Sequence, residues 1–490
     1  MESLIKEFIE IVHWIFSNLF YINIFFAIII VFFQRRDPQS VWTWLLVLYF
    51  IPVVGFILYL ILGQDYRKSK MFRIKGVEDA LNWEAEKQKE KLQNHKLKMS
   101  DKPLGVYSDL ILYNLKTCGA VYTEGNKVDI FTEGEKKFNS LFENMKRATS
   151  SIHIQYYIMR DDSLFRRLEE ILIEKADAGV EVRILYDAIG GKGIKRKTLK
   201  RLRSHGVKTG IFFKAFFKKI NLRINYRNHR KIVVIDGKVG YVGGFNFGVE
   251  YLGEKKRYGN WRDTHLRIEG PAVDDLQTRF MLDWNYAVKE NLFKYGKYFY
   301  DYSKKNPDKK GIQIISSGPD SAWQVIKDNY IKLITKAEKS INIQTPYFIP
   351  DHEVRGALSI AALSGVDVKL MIPCKPDHPF VYWATYSNIG ELLASGARCF
   401  VYDNGFLHAK GITVDGHVSS YGTTNMDIRS FALNFEVNAV IYNSEITRKF
   451  DKIFEEDLKY CRELTLSDYQ KRSLLIRFKE QFSRLLSPLM

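Results

Sequence analysis

Two short passages of the chain set a histidine, a lysine and an aspartate at the same intervals. The first runs Asn228-His229-Arg230-Lys231 and reaches Asp236, and the second runs Leu407-His408-Ala409-Lys410 and reaches Asp415. Gly243 and Gly422 stand seven residues past the aspartates, and Asn246 and Asn425 ten residues past them, so five positions agree in register. Such a pairing suits phosphodiester exchange. One neutral imidazole can attack phosphorus, and a second, protonated, can hand a proton to the departing alkoxide. Lysines and asparagines can hold the non-bridging oxygens where negative charge builds. His229, Lys231, Asp236, His408, Lys410 and Asp415 are therefore the candidate catalytic set, with Asn246 and Asn425 as phosphate ligands. Within that set, Asp236 and Asp415 each precede a glycine, where bonding backbone or the motif lysine is their expected task. The scheme needs no metal or other cofactor. It does need one neutral and one charged imidazole, so their surroundings are expected to push the two pKa values apart.

A histidine used this way usually has its other ring nitrogen held by a carboxylate, which orients the ring and supports the imidazolium. Glu436, on the apparent strand 434–441, and its counterpart Asp263, opening the apparent strand 263–268, are the candidates. Alternate side chains of a strand share a face, so His229 with Lys231, and His408 with Lys410, are expected to project together. His153, His265 and His378 have no duplicated partner and default to structural roles.

The elements that must carry these residues are also duplicated. Ser151-Ile-His-Ile-Gln-Tyr-Tyr157 and Ser340-Ile-Asn-Ile-Gln-Thr-Pro346 read as alternating strands. Each is followed by an amphipathic helix and a second strand, which opens at Ala178-Gly179-Val180 in one copy and Ser364-Gly365-Val366 in the other. This β-α-β rhythm in duplicate predicts an α/β fold of two similar domains, separated by the polar stretch Ser303 to Gly311. The expected division is 1–65 an apolar hairpin, 66–120 a charged connector, 121–302 the first domain, and 312–490 the second with a basic amphipathic tail.

Residues 11–33 and 38–64 contain no Asp, Glu, Lys or Arg, and each is long enough for the ~20 residues that cross a bilayer as a helix. Only Gln34 to Asp37 lie between them, so a two-helix membrane hairpin is expected. A cleaved signal peptide would have an apolar run of only ~7–15 residues ending in small residues. Arg35 and Arg36 pull the loop inward, but Arg67, Lys68, Lys70, Arg73 and Lys75 form the larger cluster and place the bulk of the chain in the cytoplasm. Pro38 and Pro52 leave open a kinked or re-entrant second segment.

The formal net charge of +18 over 490 residues favours an anionic partner, either phospholipid or nucleic acid. Cys118, Cys374, Cys399 and Cys461 show no metal-ligand spacing and read as isolated, mostly buried thiols. The segment Ile211 to Ile220 alternates aromatic pairs with lysines as an interfacial stretch would, with a core helix edge as the alternative. The basic run Lys192 to Arg203 reads as a solvated face. In the tail, Leu474, Leu475, Phe478, Phe482, Leu485 and Leu486 recur at helical spacing and predict packing on a domain with a membrane-facing edge.

The paired motif resembles the phospholipase D superfamily. The flanking stretches Asn225 to Lys231, Trp261 to Pro271, Thr345 to Pro350 and Asn425 to Phe431 resemble in particular its bacterial cardiolipin synthases. The resemblance implies two α/β sandwich domains packed as a pseudo-dimer behind a multi-pass membrane anchor. It also implies a transferase of phospholipid biosynthesis that joins two phosphatidylglycerol molecules into cardiolipin and glycerol through a phosphatidyl-histidine. Phosphatidylglycerol, cardiolipin and the bilayer are then the partners, and nucleic acid is not. By the same resemblance His229 is the nucleophile and His408 the general acid, although the near-symmetric blocks leave that order open. The superfamily's G-S-x-N reads Gly243-Gly-Phe-Asn246 and Gly422-Thr-Thr-Asn425 here, so a hydroxyl contact is missing at Gly244. Rival readings are a hydrolase, a transferase using another acceptor, and a superfamily nuclease, which would gain nothing from an anchor in lipid. The oligomeric state is left open.

Overall fold

Both β-α-β units are present. Ser151–Tyr156 pairs in parallel with Glu181–Asp187, which pairs with Lys208–Phe212; Ser340–Gln344 pairs in the same way with Asp367–Pro373, and that with Arg398–Tyr402. The crossover helices Ser163–Asp177 and His352–Leu363 start alike, because the Asp162 and Asp351 side chains accept backbone N–H groups of the first turn. Each helix runs out just before a glycine in the left-handed region, Gly179 at φ 88° and Gly365 at φ 93°. The computed structural model describes residues 7, 10, 13–14, 17–33, 38–62, 88–90, 102–214, 225–294, 296–302, 308–375 and 377–486.

From each unit the chain returns antiparallel beside the first strand, as Ile232–Ile235 in one copy and Gly411–Val414 in the other. It then hairpins into Val239–Gly243 or Val418–Gly422. The next strands out are His265–Glu269 and Asn434–Tyr442. Thr123–Phe131 and Lys310–Ser317 close the two series and pair with each other. The result is one mixed sheet of 16 strands whose order mirrors about that junction. The two motif strands are buried along their whole length, as strands covered on both faces must be. One apolar cluster draws on both copies, with Ile232, Val234 and Leu266 against Ile312, Val437 and Ile441.

Residues 66–120 are not a connector throughout. Their last part is a helix, Ser108–Cys118, whose Leu110, Ile111 and Leu115 are buried with Val325, Tyr330 and Ile334 of the second copy. Asn114 bonds Gln313 and Tyr442 there. The charge of the preceding stretch masks this short amphipathic pattern.

The second apolar stretch does not run straight. Helices Pro38–Phe50 and Pro52–Leu62 bend at Ile51, and the Trp44 and Tyr59 rings lie 5.4 Å apart. A continuous helix would hold those residues about 22 Å apart along its axis. Pro52 lacks the N–H that would reach the Leu48 carbonyl. Asn23 Nδ2 takes its place, donating to Leu48 O at 3.2 Å and to Pro52 O at 3.3 Å. The first stretch is a helix, Leu19–Ile28, that widens into a π-turn at Ile29–Phe33. Among the described residues no helix is long and apolar enough to cross a membrane. Of the courses left open for the second segment, the kinked one is seen: over 38–62 it folds back on itself. The outward side chains of the two stretches are apolar, among them Phe20, Phe25, Phe32, Trp42, Tyr49 and Phe50.

Of the cysteines only Cys399 is buried, while Cys118, Cys374 and Cys461 are half-buried, and all four are free thiols. In the aromatic–lysine segment Phe212 and Phe213 are core residues packed with Phe435 and Trp284, and 215–220 lie outside the described residues. The basic run includes the helix Arg196–Ser204, with only Leu202 buried. The tail forms helix Leu474–Leu486, which packs along helix Pro379–Ala394.

Candidate active site

The motif histidines and lysines do not sit on continuous strands. His229 and Lys231 occupy the link between the two-residue strand Arg227–Asn228 and Ile232–Ile235, and His408 and Lys410 the link between Phe406–Leu407 and Gly411–Val414. The short strands explain the interruption, since each leaves its own copy to pair with the other. Arg227–Asn228 runs parallel to Asn434–Phe435, and Phe406–Leu407 runs parallel to Trp261–Arg262. The His229 N–H then donates to Phe435 O at 3.0 Å, and the His408 N–H to Arg262 O at 2.7 Å.

Each histidine is thereby pinned beside the residue that follows its backbone partner, and that residue is a carboxylate. His229 Nδ1 stands 3.0 and 3.1 Å from the two oxygens of Glu436, and His408 Nδ1 stands 2.5 Å from Asp263 Oδ2. The pairing is crossed: the carboxylate of one copy serves the histidine of the other. Both carboxylates are fully buried and both histidines nearly so. A carboxylate only accepts, so the Nδ1 of His229 carries the proton and its Nε2 keeps a lone pair.

The lysines are buried beside them. Lys231 Nζ donates to His229 O at 2.7 Å, while Lys410 Nζ donates to His408 O at 2.5 Å and lies 2.8 Å from His408 Nδ1. Asn246 Oδ1 accepts the Ile158 N–H at 3.1 Å, which orients its amide, and Asn425 is buried next to the Gly422 turn. The motif aspartates are elsewhere. Asp236, at φ 54°, accepts the N–H groups of Thr149, Ser150 and Ser151; Asp415, at φ 53°, accepts those of Glu338, Lys339 and Ser340. Their oxygens tie the motif turn to the start of the first strand, which is the backbone-bonding task expected of them, and the bonds described for them do not include a motif lysine.

Burial governs the protonation of the site. It takes the His229 imidazole below its ordinary value, with Lys231 pushing the same way and Glu436 opposing. Burial and then Lys410 take His408 down to about 4, against Asp263. Lys231 is lowered strongly by burial, and Lys410 is lowered by burial to about 8. Burial alone would raise the Asp263 carboxyl, but Lys410 and His408 hold it below the usual carboxylate range. Both imidazoles move down, His408 as far as about 4.

Three further features escaped the sequence reading. Arg230 is buried and bonds Asp283 at 2.7 and 2.8 Å, Glu436 O at 3.1 Å and Ser317 O at 3.1 Å, clamping the first motif to the strand of its carboxylate. Arg262, beside Asp263, ties the strand of the second carboxylate to the second copy, pairing with Asp457 at 2.7 Å. Gln155 and Gln344 donate to these same aspartates at 2.6 and 2.7 Å, and their in-register duplication was the available signal. The two copies also differ. Thr423 Oγ1 donates to Glu436 Oε2 at 2.5 Å, whereas at the matching Gly244 an added Cβ would lie 1.9 Å from Asp263 Oδ1. The departure at Gly244 follows from the shorter Asp263 side chain lying against the backbone there.

Residues 141–284 and 330–458 match the family described as cardiolipin synthase, PLD-like domain, and residues 22–64 match the phospholipase D-nuclease N-terminal family. A cardiolipin synthase of Oceanobacillus iheyensis is 49% identical over 96% of this chain and 98% of its own length. The major cardiolipin synthase of Bacillus subtilis is 49% identical over 97% and 98%. A cardiolipin synthase of Staphylococcus aureus is 48% identical over 98% and 97%. Among solved structures, the phosphatidylserine synthase of Haemophilus influenzae shares the fold, with a TM-score of 0.56 at 15% identity over 74% of this chain and 92% of that one.

Proposed function

The chain belongs to the cardiolipin synthases of the phospholipase D superfamily, and on that premise we propose how its own residues carry the reaction. It is a phosphatidyltransferase that makes cardiolipin. In our reading the donor and the acceptor are both phosphatidylglycerol, and the by-product is glycerol. His229 Nε2 attacks phosphorus and forms a P–N bond as the P–O bond to glycerol breaks; His408 gives its proton to the leaving glycerol oxygen. A second phosphatidylglycerol then enters, His408 takes back a proton from its hydroxyl, and that oxygen displaces His229. Lys231, Lys410, Asn246 and Asn425 hold the non-bridging oxygens. In the empty site burial lowers both imidazoles, which leaves His229 Nε2 its lone pair, and the phosphodiester anion, on binding, supplies the field that favours the proton on His408.

One observation carries this reading: each histidine is held, through its backbone and its ring, by the copy that does not contain it. The motifs therefore serve one composite site. We read the two copies as phospholipase D-type sandwich domains over 121–302 and 312–490 packed as a pseudo-dimer, with helix 108–118 joined to the second. The apolar N-terminal segment anchors them in the membrane with the catalytic part on the cytoplasmic side. The 13 residues of helix Pro38–Phe50 reach only about 20 Å, short of the ~30 Å hydrocarbon core, which supports a re-entrant path over 38–62.

The test is to incubate the purified full chain with labelled phosphatidylglycerol in detergent and separate the products. Cardiolipin with one glycerol per turnover is the expected result. Phosphatidic acid alone would make the chain a hydrolase and sink the acceptor assignment.

A further inference from the structure

The helix Leu474–Leu486 docks with its polar side inward. Its buried residues are Glu480 and Ser483, each 1% exposed, whereas Leu474 is 81% exposed, Phe478 67% and Leu485 72%, with Leu475 and Phe482 also exposed. At 100° per residue these five apolar side chains fall within a single arc of about 100°. Specific polar contacts fix this orientation. Arg472 holds the buried Glu480 at 2.8 and 2.9 Å, and Arg484 bonds Glu391 of helix Pro379–Ala394 at 3.1 Å. Glu391 is itself paired with Arg355 at 2.8 Å, and Lys479 lies over the Trp383 ring at 5.4 Å. A helix held this way turns its apolar stripe outward by construction.

The position and charge of the stripe say what covers it. Helix Pro379–Ala394 starts just after Asp377, whose carboxylate lies within electrostatic reach of Lys410, so that end of the helix lies on the active-site side of the fold, and the tail helix packs along it, with Lys479 over the ring of Trp383 in its first half. Lys471, Arg477 and Lys479 are exposed around the stripe. A second copy meeting the same patch about a two-fold axis would set those cations against themselves. An anionic phospholipid surface accepts both the apolar stripe and the cations.

We propose that helix 474–486 is a second membrane-contact element, which sinks Leu474, Leu475, Phe478, Phe482 and Leu485 into the headgroup–acyl boundary of an anionic bilayer and holds the active-site mouth at that surface. The proposal rests on the phospholipid substrate argued above. It assigns the N-terminal segment to tethering and this helix to orientation.

The test uses the full chain carrying Phe478→Ser and Phe482→Ser, both exposed positions, beside wild type and the apolar control Phe478→Leu with Phe482→Leu. With phosphatidylglycerol in detergent micelles, kcat and Tm of all three should agree. With unilamellar vesicles of phosphatidylglycerol and phosphatidylcholine, the apparent KM of the serine variant should rise about tenfold or more, and the leucine variant should match wild type. Equal vesicle kinetics in all three would overturn the proposal. So would a drop in molar mass of the serine variant by light scattering, which would show the stripe to be a contact between copies. Photoactivatable phosphatidylcholine bearing a diazirine on its acyl chain reads contact without turnover. Adducts within 474–486 are expected, and their absence counts against the proposal even if cardiolipin forms. If adducts form but cardiolipin does not, the functional reading fails and the membrane contact stands.

Discussion

Replacing Glu436 by glutamine tests whether the carboxylate that reaches across to His229 activates it. Glu436 is fully buried and collects three donors: His229 Nδ1 at 3.0 Å, the Thr423 hydroxyl at 2.5 Å and the Asn434 amide at 3.3 Å. A glutamine keeps the shape and can turn its own N–H2 toward the Thr423 hydroxyl, which then donates to Val437 O at 3.2 Å instead. It also no longer carries the charge that supports the imidazolium. A hydrogen bond to a charged group contributes about 1.5–3 kcal/mol. At about 1.4 kcal/mol per factor of ten, kcat should fall roughly 10- to 150-fold. The assay is single-turnover conversion of radiolabelled phosphatidylglycerol in mixed micelles, with thermal denaturation as the check on folding. A variant that folds like wild type and keeps kcat within about threefold would refute the argument that Glu436 works through His229.

Arg230→Ala leaves Asp283 buried without its cation and should cost about 3–5 kcal/mol in chemical denaturation; a loss below about 1 kcal/mol would mean the clamp is not structural. Gly244→Ala forces a Cβ against the Asp263 carboxylate and should reduce kcat by more than about tenfold, beyond the loss from Thr423→Ala, which removes only a hydroxyl. His408 has a folded pKa of about 4, below its ordinary value of 6.5, so the folded state binds its proton less readily than the unfolded chain. Its contribution is fully present above pH 6.5 and lost as pH falls toward about 4; Tm should rise with pH across that window, and His408→Gln should flatten the slope.

Much of the site was legible because the chemistry is written twice. The intervals from His to Lys, Asp, Gly and Asn repeat in register, and the duplicated β-α-β units follow from strand patterning and from glycines placed where helices must end. Which carboxylate serves which histidine was not legible. That depends on Arg227–Asn228 pairing with Asn434–Phe435, a contact between segments more than 200 residues apart that no local pattern encodes. The same crossing removes the motif residues from continuous strands, which strand alternation alone could not foresee. The structural task of Asp236 and Asp415 was readable from the following glycine, which marks a turn. Arg230 and Asp283 were not, since a buried ion pair looks like any other two charges in a sequence. At the N-terminus hydropathy reported length and apolarity but not direction, and the fold-back at Ile51 hinges on Pro52 and on Asn23, 29 residues away.

The central claim is that the two motifs build one site whose first product is a phosphatidyl group on His229. Rapid quenching of the full chain with phosphatidylglycerol labelled in its phosphate, followed by peptide mapping, addresses it directly. The account predicts an acid-labile phosphatidyl adduct on the peptide containing His229, absent in His229→Ala, with cardiolipin formation lost in both His229→Ala and His408→Ala. Label on His408 would reverse the two roles. Cardiolipin formed by either variant at near wild-type rate, with no adduct on either histidine, would contradict the account.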